Sequence, residues 1–139
     1  MSLLFDSSAL FAAMKKAEVE VVLGHHTLSL ARYELGNVIW RERILLGKIP
    51  TEEAEELAQQ LRRILHNMEI LDIVDEEPEI LKLASNSLLS FYDSSYVHTS
   101  KKLGLTLVTQ DKKLAEKARS VGVATISMQA VADDVGAKE

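Results

Sequence analysis

Four acidic residues, Asp6, Glu34, Asp93 and Asp111, stand beside apolar runs rather than inside charge-rich stretches. Carboxylates gathered without partners repel one another and resist leaving water, so a fold gains no stability by collecting them. A divalent cation removes that objection. Mg²⁺ or Mn²⁺, held by oxygen ligands from separate elements, is the chemistry this set suits. The chain then reads as a small hydrolase that uses the cation to activate water.

Taken singly, each acid has an ordinary explanation beside the metal-site one. Asp111, before Lys112-Lys113-Leu114, reads equally as a helix cap, and Asp93, before Ser94-Ser95, as a cap or a first-turn acid. Asp6 could close a turn after Leu3-Leu4-Phe5. Glu34 is hardest to explain this way, because it lies within a helical pattern among Leu30, Leu35, Val38 and Ile39. On that helix Asn37 and Arg41 fall on nearly the same stripe as Glu34. Asn37 could hold the carboxylate or a water, and Arg41 a phosphate oxygen. Arg41 could equally be a surface arginine paired with a glutamate. Lys112 and Lys113 directly follow Asp111; they and Lys15 and Lys16 are candidates for gripping a nucleic-acid backbone, or simply solvated helix faces.

The elements that must position these groups alternate between strand and helix. The patterning predicts strands at Leu3–Phe5, Thr27–Leu30, Glu69–Val74, Leu105–Thr109 and Val123–Ile126. It predicts helices at Ser7–Met14, Leu30–Leu46, Thr51–Asn67, Glu77–Asn86, Asp93–Leu103 and Lys112–Val121. Residues 18–23 fit strand, loop or helix end, and 133–139 read as a frayed tail. Strands separated by helices imply right-handed crossovers and a parallel sheet covered on both faces. Ligands bind such sheets beyond the carboxyl ends of the strands, where Asp6 and Asp111 fall.

The 139 residues, 47% hydrophobic and 27% charged, suit one α/β domain across 1–139. The absence of cysteine removes disulfides and thiolate metal sites and suits a reducing, cytoplasmic setting. No apolar run approaches the roughly 20 residues of a membrane span, and the N-terminus lacks the basic region of a signal peptide. A net charge of −5 has the wrong sign for a protein that coats nucleic acid, but it does not exclude a nuclease, since bound metal reverses the local field.

Four blocks then carry a family resemblance: Asp6-Ser7-Ser8-Ala9-Leu10, Glu34-Leu35-Gly36-Asn37-Val38, Tyr92-Asp93-Ser94-Ser95-Tyr96 and Leu107-Val108-Thr109-Gln110-Asp111. In order and spacing they resemble the signature blocks of PIN domains, most closely those of VapC-type toxins, from Leu3 to about Ile126. The resemblance implies a three-layer α/β/α fold around a parallel sheet of four or five strands. It implies a metal-dependent endoribonuclease whose acidic quartet is Asp6, Glu34, Asp93 and Asp111, leaving 5′-phosphate and 3′-hydroxyl ends. Ser8 and Thr109 take the places of the family's hydroxyls that orient the carboxylates. It also implies an RNA substrate, a small cognate antitoxin that inserts a basic side chain, and a homodimer. Two departures stand out: Val97-His98-Thr99-Ser100 is more polar than the family's usual apolar run, and residues 15–23 leave little room for a substrate-gripping loop.

His25-His26 read as an exposed loop pair, Trp40 and the tyrosines as core or interface, and the acids from Asp72 to Glu79 as a solvated loop and helix start. Exposed apolar residues on the Thr51–Asn67 helix are expected to serve partner contacts. A phospho-receiver domain would need an acidic pair after the first strand, where only Asp6 stands, and an aspartyl phosphatase would need Asp where Ser8 is. The remaining rival is a PIN-like module that binds RNA or protein without cutting.

Overall fold

The computed structural model describes residues 2–138. The chain runs β1 (Leu3–Phe5), α1 (Ser7–Lys15), β2 (His26–Leu28), α2 (Leu30–Trp40), α3 (Thr51–His66), β3 (Glu69–Leu71), α4 (Glu77–Ser87), α5 (Phe91–Leu103), β4 (Thr106–Val108), α6 (Lys112–Ser120), β5 (Thr125–Ile126) and α7 (Met128–Lys138). All five strands are parallel, in the order β3-β2-β1-β4-β5. Alternation along the strands sends Leu3 and Phe5 into a layer shared with α1, α2, α3 and α7, and Leu4 into the opposite layer with α5 and α6. The expected three-layer α/β/α arrangement is therefore present, with five strands.

The order of strands locates the functional edge. From β1 the chain builds outward through β2 and β3, then returns to the other side of β1 with β4. The order reverses between β1 and β4, which opens a crevice at the carboxyl ends of those two strands. Phe5 pairs with Val108 at that point, so the residues that follow them, Asp6 and Thr109, stand side by side.

Several boundaries differ from expectation. β3 stops at Leu71 rather than Val74, because its one neighbour, β2, offers only three residues for pairing. Residues 19–22 form a short 3-10 turn, and the helix from Leu30 ends in a wider π turn over Arg41–Leu45. α5 starts at Phe91 because the Ser90 hydroxyl accepts the Asp93 N–H, making Ser90 the cap and placing Asp93 in the first turn. Gly104 ends α5 in the left-handed region (φ 67°), where a side chain is disfavoured.

Other expectations are overturned. Residues 133–138 are not frayed: they continue α7, whose Met128 and Val131 are buried in the layer with α1. Glu139 lies outside the described residues. His25 and His26 are half-buried; His26 begins β2, and the His25 ring packs against Phe5 with centroids 5.9 Å apart. The apolar residues of α3 (Leu57, Leu61, Ile64 and Leu65) are buried, and exposed ones sit instead on the end of α2 and its π turn (Trp40, Ile44, Leu45, Leu46) and on or beside α4 (Leu81, Leu88). Trp40, Tyr33 and Tyr92 are exposed and so not core, while Tyr96 is buried; both placements are compatible with the reading of this group as core or interface. The polar departure at His98 is accommodated by Glu76, 2.8 Å from His98 Nε2 and 3.2 Å from Lys102 Nζ, which takes Glu76 out of the solvated acidic run. No helix among the described residues is long and apolar enough to cross a membrane.

Candidate active site

Asp6 is 5% exposed, and three donors fix its carboxylate. Ser8 Oγ donates to Oδ1 at 2.7 Å, the Ala9 N–H donates to the same oxygen at 2.9 Å, and Thr109 Oγ1 donates to Oδ2. The Ala9 contact is also the N-cap of α1. The two hydroxyls tie strand ends together. Thr109 Oγ1 accepts the Asp111 N–H at 3.1 Å, and Ser8 Oγ accepts the Gln110 N–H at 3.0 Å. Residues 109–111 after β4 are thereby locked onto the Asp6 loop after β1.

Asp111 caps α6, its Oδ1 accepting from Lys113 N (3.0 Å) and Leu114 N (3.1 Å). The capping reading is correct for Asp111, and it leaves Oδ2 for another role. For Asp93 the cap is Ser90, as above. Glu34, half-buried one turn into α2, accepts a hydrogen bond from Tyr96 Oη at 2.8 Å. That contact spans from α2 to α5 and gives Tyr96, read from the sequence only as core or interface, a place beside the acids. Its only signal was its place at the end of the Tyr92–Tyr96 block.

The four acids share one electrostatic environment. Burial pushes the Asp6 carboxyl up to about 6, against the pull of Ser8, Thr109 and Ala9, and the Asp93 charge adds to the rise. Burial also raises Glu34; Tyr96 and Ser7 oppose it and Asp93 reinforces it. Asp93 is raised by burial and then by Asp111. Asp93 thus couples to each of the other three. Burial, then Glu34, pushes the Tyr96 phenol upward, so it stays a donor. None of the four acids has a lysine or arginine partner within ion-pair distance among the described residues.

This donor set fits a hard divalent cation. Among the described residues no three acidic or histidine side chains are drawn close enough to grip an ion as they stand. Mg²⁺ does not need that: it keeps several waters and binds through one or two carboxylates. What the carboxylates lack is positive charge. Asn37, Arg41 and Lys112 are all exposed, and Arg41 has no glutamate partner within ion-pair distance among the described residues. Asn37 and Arg41 follow Glu34 on the same helical course by three and seven residues, and Lys112 opens α6 beside Asp111. Among the described residues none of the three side chains is within ion-pair distance of the acids.

Sequence reasoning missed Gln110. Its side-chain oxygen accepts the Met128 N–H at 2.7 Å, fastening the start of α7 to the loop that carries Asp111.

Comparison with known proteins gives the family and the fold. The family model described as PIN domain matches residues 3–120. Exonuclease VapC9 of Pyrobaculum aerophilum is 33% identical over 137 residues, covering 93% of this chain and 96% of that protein. Ribonuclease VapC3 of the same organism is 30% identical over 125 residues, covering 84% and 95%. The crystal structure of PAE2754 from Pyrobaculum aerophilum superposes with a TM-score of 0.82 at 28% identity, covering 99% of this chain and 98% of that one. A PilT N-terminus domain protein, SSO1118 of Sulfolobus solfataricus P2, shares the fold with a TM-score of 0.53 at 15% identity, covering 96% and 92%.

Proposed function

The chain belongs to the PIN domain family, and from that premise we propose that it is a metal-dependent endoribonuclease, the toxin of a toxin–antitoxin pair. The observation that carries this reading is that Asp93 acts electrostatically on Asp6 and Glu34 and is itself acted on by Asp111, at the switch point of a parallel sheet, with no lysine or arginine within ion-pair distance of the four acids among the described residues. The two Pyrobaculum relatives, one named an exonuclease and one a ribonuclease, support nucleic-acid hydrolysis.

In this mechanism Asp6, Glu34, Asp93 and Asp111 would hold Mg²⁺ or Mn²⁺, which when bound acidifies a water and draws charge from the phosphoryl group. The chain's own residues do the positioning. Thr109 and Ser8 hold Asp6 through both of its oxygens, so its carboxylate keeps one orientation. Tyr96 favours the ionised form of Glu34 against its burial. Arg41 and Lys112 supply exposed positive charge for RNA phosphates.

The proposed partners follow from the charge and the exposed apolar surface. A small antitoxin that presents a basic side chain would neutralise the acidic crevice. A homodimer would cover apolar residues such as Trp40, Ile44 and Leu45. The reading places the protein in the cytoplasm, where its RNA substrate is found.

The test is incubation of metal-stripped protein with single-stranded RNA, with and without Mn²⁺. Cleavage only with Mn²⁺, leaving 5′-phosphate ends, supports the proposal. RNA retained but never cut, at any Mn²⁺ concentration, makes the protein a binding module instead.

A further inference from the structure

Beside the acids lies a second feature that the reaction does not use. A cleft of about 250 Å³ opens at the carboxyl ends of β2 and β3, floored by Leu28, Leu71, Ile73 and Phe91. Two tyrosines with exposed rings border it: Tyr33 on α2, 73% exposed, and Tyr92 on α5, 59% exposed. Each immediately precedes an acid, Tyr33 before Glu34 and Tyr92 before Asp93. The same two helices therefore carry two of the four carboxylates, Glu34 and Asp93, and the aromatic rims. At Asp111 the edge changes character: a cleft of about 300 Å³ is lined by Asp111 together with Lys112, Arg119, Thr125 and Ser127, two cations against one acid.

We infer that the aromatic cleft is a base subsite, which takes an unstacked base of the single-stranded RNA whose phosphodiester lies at the acids. This rests on the nuclease reading for its substrate. A base is joined through its ribose to the phosphate, so an RNA strand seated at the acids must place bases beside them. A base leaving its own stack needs an aromatic or apolar platform, which the two tyrosines and the apolar floor supply. The apolar lining recognises bases by stacking more than by hydrogen bonds, so purines are held better than pyrimidines and no strict sequence is read. The cleft at Asp111 then receives the backbone that continues past the cut.

The test uses the full chain and its Tyr33→Ala, Tyr92→Ala, Tyr33→Phe and Tyr92→Phe variants. Affinity for labelled oligo(A), oligo(U) and an abasic ribose-phosphate oligomer is read by fluorescence anisotropy in EDTA at low ionic strength. Thermal midpoints confirm folding. Each alanine variant is expected to lose about tenfold in affinity for oligo(A), less for oligo(U) and none for the abasic strand. The phenylalanine variants keep wild-type affinity, because the ring remains. Wild-type RNA affinity in both alanine variants overturns the subsite, as does an equal loss on the abasic strand. So does a variant that loses a bound protein partner but keeps its RNA affinity, which would make the cleft a protein-docking groove. Mn²⁺-dependent cleavage is scored separately. A wild-type protein that cuts nothing refutes the nuclease reading, while tyrosine-dependent RNA binding upholds the subsite.

Discussion

A carboxylate buried as deeply as Asp6 is held by what donates to it, and here two of the three donors are hydroxyls that also lock residues 109–111. Thr109→Val removes the Oδ2 donor with little change of shape, and Mn²⁺ affinity should fall about 10–100-fold in a calorimetric titration. The raised Asp6 carboxyl also sets a pH dependence. Its folded value of about 6 exceeds the ordinary 3.8, so the folded state binds the proton more tightly than the unfolded state does. Asp6 therefore contributes stability to the metal-free fold near pH 4 that is lost as pH rises through about 6. The loss is on the order of 3 kcal/mol, and chemical denaturation of Asp6→Asn should lack it. Tyr96→Phe removes the hydrogen bond that opposes the upward shift of Glu34. The acidic limb of its kcat/KM profile should therefore move to higher pH, with activity recovering in alkaline buffer. The acids were legible in the sequence because each ends an apolar run or interrupts a helical stripe. Tyr96 and Gln110 were not, because an aromatic within a helix and an amide within a loop show their partners only after distant elements pack.

At the scale of elements, strands and helices follow from local patterning, and the failures follow from its limits. β3 ends where its partner runs out, which no local signal in Asp72–Val74 reports. The stretch of α7 from Asp133 looks frayed because it is polar and small; the helix is held at its start by Gln110 and Ser127 and by burial of Met128 and Val131. Deleting residues 128–138 should accordingly cost about 3–6 kcal/mol in urea unfolding, from the two buried side chains alone. The start of α5 carries Asp93 by way of Ser90, and Ser90→Ala should destabilise the protein by about 1 kcal/mol through loss of that cap.

For the molecule as a whole, the strand order does what no single segment can. By returning the chain to β1 after β3, it sets the ends of β1 and β4 next to each other and brings α2 and α5 to the same edge. The central claim is that this edge is one cation pocket, with Asp93 coupled to the other three acids. Isothermal titration of metal-free wild type and Asp93→Asn with Mn²⁺ tests it most directly. The account predicts saturable binding to the wild type and at least about tenfold weaker binding to the folded variant. Equal affinity in the two proteins, or no binding to the wild type, would contradict it.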